Sequence, residues 1–436
     1  MKPFTLPPDF LLGTATASLQ IEGGDRTNSW YRWCEQGRIK DGTHCITACD
    51  HYNRLEEDTD LMAALGTHTY RMSLEWARIE PEEGRFDDAA LSHYRRELEL
   101  LCARGIRPLV TLHHFSNPLW MEDSGGFEDP RAVDRFARYT ERAVAALGDL
   151  VSDWVTINEP NIYTVFGYVF GDWPPGKTDL AAARRVAATL ARAHAAAYRI
   201  IHDTRAGPGP TSVGVAHHLR LFEPARRRHP ADGMVAGLYD RVFQDMFVRA
   251  TTEGERTWPL GRLDLPAQRN ASGYLVDFFG INYYSRDLVR ARVSPAELFG
   301  RREVAPGAPT SDLGWELYPR GLADVATRYW ERYGLPIFVT ENGIADAADS
   351  RRIPFIAYHL SEIARAVADG VDIRRYYHWS LMDNFEWVEG LTPRFGLVEI
   401  DYETLARRVR ESGRFYAEVC ARGGVDRELI ERYGLG

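Results

Sequence analysis

The chain has 436 residues, 44% of them hydrophobic, 12% aromatic and 26% charged, which suits a large buried core and excludes a disordered or low-complexity chain. Its 62 acidic and 53 basic residues leave a formal charge of -9, with arginines scattered among acids as on a solvated surface, which argues against nucleic acid as a partner. The start, MKPFTLPPDFLLG, has no apolar run of signal-peptide length, and no stretch reaches the roughly eighteen apolar residues of a membrane span, so a cytoplasmic protein with no membrane partner is expected.

In chain order, short β-rich runs recur at Phe10–Ala15, Thr69–Ser73, Pro108–Leu112, Trp154–Asn158, Ser212–Ala216, Phe278–Tyr283, Ile337–Thr340 and Arg375–Trp379. Amphipathic helical segments lie between them. In Asp88–Arg104, Leu91, Tyr94, Leu98 and Leu101 return at helical spacing; Arg131–Leu147, Ala181–Asp203 and Ile353–Asp369 behave alike. Alternating strands and helices, about eight of each, predict an α/β chain folded as a (β/α)₈ barrel with elaborated loops at the C-terminal ends of the strands. No linker or repeat interrupts the pattern, so residues 1–436 are expected to form a single catalytic barrel domain. The least patterned segment, Pro295–Asp312, is predicted as a long loop near the mouth of the site.

The five cysteines, Cys34, Cys45, Cys49, Cys102 and Cys420, are odd in number and are expected to be reduced. Cys45 and Cys49 stand near His44 and His51 but lack a second paired cluster to complete a tetrahedral site, so no metal is expected.

In such a barrel, residues just after the strands meet on one face whatever their separation in sequence. The fourth predicted strand ends in Asn158-Glu159-Pro160 and the seventh runs into Thr340-Glu341-Asn342-Gly343. Two converging carboxyls suit acetal cleavage: one protonates the leaving oxygen, and the other meets the positive charge developing at the anomeric carbon. A separation of about 5–5.5 Å gives a covalent intermediate and retention, and one of roughly 6.5–9.5 Å gives inversion. The competing reading for Glu159, which precedes the helix-starting Pro160, is a carboxylate that merely caps a helix.

These two motifs together resemble the signatures of glycoside hydrolase family 1, the β-glucosidase and β-glycosidase family. Further motifs follow in order: Phe10 to Gly23 at the N-terminus, Gly280-Ile-Asn282-Tyr283-Tyr284, and Trp379-Ser-Leu-Met-Asp383-Asn384-Phe385-Glu386-Trp387. The resemblance implies a retaining, exo-acting β-glycosidase that needs no cofactor and whose partner is a small-molecule β-glycoside or oligosaccharide. It implies that Glu341 is the nucleophile, that Glu159 is the acid/base, and that Arg71 and Tyr284 hold Glu341 ionised. Asn158 would meet the sugar 2-hydroxyl. Gln20, His114, Phe115, Glu386 and Trp387 would surround the rest of the sugar, with Trp379 beneath its apolar face and Phe395 on the wall. Trp379 and Phe395 could equally be core aromatics, and His113 and His114 satisfied core histidines.

Two departures matter. The family most often has Trp where this chain has Phe115, and Phe cannot donate to a hydroxyl. Its branch for 6-phospho-sugars has Ser at the position of Glu386, and Lys and Tyr at those of Pro393 and Phe395; none is present, and a carboxylate at 386 would repel phosphate. A neutral glycoside is therefore expected. Alternatives from the same residues are a transglycosylase or glycosyltransferase that intercepts the same intermediate, and a non-catalytic sugar-binding protein, which would be expected to lack one of the two glutamates.

Overall fold

The computed structural model describes residues 1–254, 260, 263, 265, 269–294 and 298–436. Eight parallel strands close into a barrel: β1 Leu11–Ala15, β2 Thr69–Ser73, β3 Arg107–His113, β4 Asp153–Asn158, β5 Ser212–His218, β6 Phe279–Asn282, β7 Ile337–Asn342 and β8 Ile373–Trp379. Each pairs with its sequence neighbours, and β8 returns to β1 with Tyr377 opposite Gly13. All eight predicted strands are present, with ends shifted by a residue or two. Strands enclosed by helices are covered on both faces, which is why β4 and β7 read as continuous buried runs.

One helix follows each strand on the outside: α1 Leu55–Ala64, α2 Asp88–Ala103, α3 Ala132–Leu147, α4 Leu180–Thr204, α5 Met246–Thr252, α6 Pro319–Tyr333, α7 Arg352–Ala368 and α8 Glu411–Arg422. Local chemistry sets their ends. Asp87 caps α2 by accepting from Ala89 N–H at 2.8 Å and Ala90 N–H at 3.2 Å, and α6 stops at Gly334 with φ 63°. The apolar stripe read from the sequence, Leu91, Tyr94, Leu98 and Leu101, is the buried face of α2. Small residues such as Ala182, Ala193 and Ala197 line the inner side of α4, where they allow close packing.

The segment expected to be one long loop is partly structured. Residues 295–297 lie outside the described set, but Gly300–Glu303 is a strand, antiparallel to Arg286–Ala291, which pairs in turn with Leu221–Pro224. Its sequence, Gly-Arg-Arg-Glu, carries no apolar alternation; cross-strand contacts such as Arg290 with Glu303 at 2.9 Å accompany the pairing.

The cysteines are free. Cys45 lies not beside Cys49 but 3.7 Å from Cys34, sulfur to sulfur, and ligand atoms of Cys34, His44 and Cys45 fall within 4.8 Å of one another. Both ring nitrogens of His44 are already engaged, Nδ1 by Ile46 N–H at 3.0 Å and Nε2 by Glu35 at 3.1 Å, so the trio is not a ready ligand set. Cys49 instead approaches the Asp383 carbonyl, and His51 bonds Asp58 and Glu97.

Candidate active site

The C-terminal ends of the strands bring the sequence-predicted residues together. Glu159 follows β4 and occupies the N-cap position of the helix Pro160–Val165, yet its side chain makes no capping bond. The capping alternative is thereby removed, and the carboxyl is buried and turned elsewhere. Its Oε1 accepts from Asn282 Nδ2 at 2.8 Å and lies 3.3 Å from His218 Nδ1. The backbone at Glu159 has φ 41°, and Phe115 and Trp387 have φ 68° and 50°. A non-glycine residue in this region costs about 1–3 kcal/mol, and such residues gather where a side chain must be aimed.

Glu341 lies at the end of β7. Arg71, from β2, donates from Nη1 to Glu341 Oε1 at 2.5 Å, and Tyr284 OH donates to Oε2 at 2.6 Å. The other Arg71 nitrogen, Nη2, donates to Asn158 Oδ1 at 2.6 Å, and Asn282 Nδ2 reaches the same oxygen at 3.0 Å. Asn282 is steered by Thr340, whose hydroxyl donates to Asn282 Oδ1 at 2.6 Å. A continuous polar network thus runs from one glutamate to the other. Gly343, just beyond, lies so close to β8 that a Cβ there would run into the Trp379 carbonyl.

Arg71 and Tyr284 both favour the ionised form of Glu341, and burial works against them. Burial outweighs the guanidinium, and with Glu159 nearby it pushes the Glu341 carboxyl up to about 7. Burial, Glu341 and Glu159 likewise push Glu386 up to about 8. Three carboxyls around one guanidinium cannot all ionise cheaply in a low-dielectric pocket.

Around this centre, Gln20 Nε2 donates to Asn384 Oδ1 at 2.9 Å and to the Phe385 carbonyl at 2.8 Å, with Glu386 Oε2 at 3.4 Å. Asn158 Nδ2 donates to His114 Nε2 at 3.0 Å, which leaves Nδ1 as the N–H of that ring. Burial and Arg71 hold His114 far below the usual imidazole range, so it is neutral. Its Nδ1 and Gln20 Oε1 are buried without a protein partner among the described residues. The His114 ring stacks between Trp379 and Trp387 at 5.9 and 5.8 Å. Phe115 packs edge-on against Trp387 at 5.1 Å and Trp173 at 5.0 Å, and Phe395 lies 6.3 Å from Tyr284 and from Trp315. His113 bonds Asn117 at 3.0 Å instead, away from this network.

Residues not anticipated include Asn282, the hub between Asn158 and Glu159, and His218 with its partner Arg220. Asn282 had a signal, since a polar side chain ending an apolar strand is the pattern that marked Glu159. Trp30 and Trp173, an aromatic pair 5.3 Å apart behind Trp387, had none.

A closed eight-stranded barrel with paired glutamates at the ends of β4 and β7 and a surround of aromatic rings and polar amide, imidazole and carboxyl groups has the architecture of a carbohydrate-active enzyme. The family model described as glycosyl hydrolase family 1 matches residues 2–425, and the chain belongs to that family and is an O-glycosyl hydrolase. It is similar to β-glucosidase A of Thermotoga maritima, 33% identical over 448 residues that cover 96% of this chain and 98% of that one. Its fold matches that of a β-glycosidase from Pyrococcus horikoshii with a TM-score of 0.91 and 38% identity, over 100% and 99% of the two chains. A β-glucosidase from Thermotoga maritima in complex with glucoimidazole matches with a TM-score of 0.88 and 32% identity, over 97% and 100%. Among the described residues, no helix is long and apolar enough to cross a membrane.

Proposed function

We propose that residues 1–436 act as one cytoplasmic catalytic unit, a retaining β-glycosidase that releases neutral, unphosphorylated sugars from the non-reducing end of β-D-glycosides. The observation that carries this reading is the network joining the two glutamates: Arg71 and Tyr284 both donate to Glu341, while Glu159 receives only an amide and an imidazole. Glu341 lies beside the Arg71 cation, the place that suits an anion, and the retaining reading assigns the transferable proton to Glu159.

Glu159 then protonates the glycosidic oxygen while a Glu341 carboxylate oxygen attacks the anomeric carbon, giving a covalent glycosyl-enzyme and the free aglycone. Esterification removes the charge of Glu341, so Glu159 can stay ionised and take a proton from water, whose oxygen attacks the same carbon from the face the aglycone left as the bond to Glu341 breaks and its carboxylate is freed. Asn158 would hold the 2-hydroxyl, and the unpaired Gln20 Oε1 and His114 Nδ1 would take other hydroxyls. Trp379 offers a flat apolar floor to the C–H face of the ring, with Phe395 on the wall. Glu386 accepts from sugar hydroxyls when ionised and would repel a phosphate. Phe115 leaves one donor fewer than an indole would, so discrimination at that hydroxyl falls.

Proton NMR of an aryl β-glucoside during cleavage, read before mutarotation, tests the mechanism. β-Glucose should appear first, and Glu341→Ala should release none; α-glucose appearing first would overturn retention. Sugar transfer to an added alcohol in preference to water would favour the transglycosylase reading instead.

A further inference from the structure

Glu159 is supported from one side by a polar row that the mechanism above does not use. His218 is the last residue of β5, which pairs with β4 so that Ala216 lies opposite Asn158. Its Nδ1 faces Glu159 Oε1 at 3.3 Å. On the other side of the ring, Arg220 Nε and Nη2 reach His218 Nε2 at 3.3 and 3.1 Å. A guanidinium has only N–H groups to offer, so Nε2 is the lone-pair nitrogen, and in a neutral ring the hydrogen sits on Nδ1. Arg220 is held in turn by Asp287, Nη1 to Oδ2 at 2.8 Å. The ring itself is buried, stacked on Tyr284 at 6.1 Å and met edge-on by Phe243 at 5.9 Å, so it is not free to turn over.

The consequence falls on the two oxygens of Glu159. Asn282 and His218 both donate to Oε1, and an oxygen that accepts two N–H groups is the carbonyl-type oxygen of a protonated carboxyl. The hydrogen is then carried by Oε2. We propose that His218, oriented by Arg220 and Asp287, is a positioning residue that keeps the transferable proton of Glu159 on Oε2 and supports the charge on Oε1 once that proton has left. This rests on the reading of Glu159 as the acid/base. No bond to the substrate is assigned to His218: the proton goes from Oε2 to the glycosidic oxygen, and His218 keeps its own.

The test is the dependence of kcat/KM on leaving group. Wild type, His218→Phe, His218→Asn and Arg220→Met are compared on aryl β-glucosides ranging from dinitrophenyl, which departs without protonation, to alkyl-substituted phenyl, which needs it. His218→Phe should lose about tenfold on the poor leaving groups and less than about twofold on dinitrophenyl. Arg220→Met, which frees the tautomer but spares the ring, should show the same tilt more weakly. His218→Asn, which can restore an N–H to Oε1, should recover most of the loss. An equal loss on every substrate in both His218→Phe and Arg220→Met, or no loss in either, overturns the proposal. Should His218→Phe fail to fold, Arg220→Met decides it alone. A Glu159→Ala variant that shows no steeper dependence on leaving group than wild type would instead overturn the acid/base reading beneath it.

Discussion

His51, Asp58, Glu97 and Arg407 form one buried charge cluster, between α1 and α2, and Arg71, Glu159, Glu341 and Glu386 form another at the barrel mouth. In the first, every acid meets a cation. His51 lies 2.7 Å from Asp58 and 3.1 Å from Glu97 through its two ring nitrogens, and Arg407 binds both oxygens of Asp58. Burial alone would lower the His51 pKa, but Glu97 and Asp58 overcome it and raise it to about 10, so two positive charges face two negative ones. At the mouth one guanidinium faces three carboxyls, and two of these are pushed well up. A balanced cluster buried this way serves to hold elements together; an unbalanced one is costly to the fold and leaves groups ready to exchange protons.

The largest break in this comparison should come from Glu341→Gln. Steady-state kinetics should show kcat/KM falling by at least about 10⁴-fold, with circular dichroism unchanged, since an amide cannot form the glycosyl-enzyme. Cutting the balanced cluster should do the reverse. His51→Gln leaves two buried acids short of a cation and should cost about 3–5 kcal/mol in denaturant unfolding, with the kcat of the folded enzyme little changed. Because the folded pKa of His51 is raised, its contribution is full below the unfolded value of about 6.5 and is lost as pH rises through about 10.

A smaller effect separates the clusters by sign. Glu386 binds its proton more tightly folded than unfolded, so between about 4.5 and about 8 the native state holds more protons and stability falls as pH rises. Glu386→Gln should remove that slope and leave the variant about 1–3 kcal/mol more stable than wild type at pH 8, while its KM for glucosides rises. Matching unfolding curves at pH 5 and pH 8 for both proteins would show that the mouth is not under this charge load. The smallest change is expected at the surface. Arg85 and Glu82 are 2.7 Å apart but about 70% exposed, and Arg85→Ala should move stability by less than about 0.5 kcal/mol, which isolates burial as the variable that matters.

Much of the barrel was legible because it carries local signals: β-rich apolar runs, and amphipathic stripes such as that of α2. The strand Gly300–Glu303 was not, because its partner is set by tertiary pairing and its residues alternate nothing apolar. Glu159 and Glu341 could be picked out as strand-end carboxyls, and the resemblance assigned them roles. Their electrostatics could not be read the same way. A motif shows that Arg71 can reach Glu341, but whether attraction or desolvation prevails depends on how deeply both lie and on how many other carboxyls share the space. Cys45 shows the same limit: its neighbour in sequence, Cys49, turns to Asp383, and its contact is Cys34.

The sequence by itself determined the alternation of strands and helices, the order of the polar strand ends and the chemical types available there, because each depends on neighbours within a turn or a pleat. Only the tertiary structure decided that Glu159 does not cap its helix, that the Arg71–Glu341 pair shares its pocket with two further carboxyls, and that His218 turns Nδ1 toward Glu159. These are matters of distance and burial among side chains that barrel closure brings together from far apart in the chain.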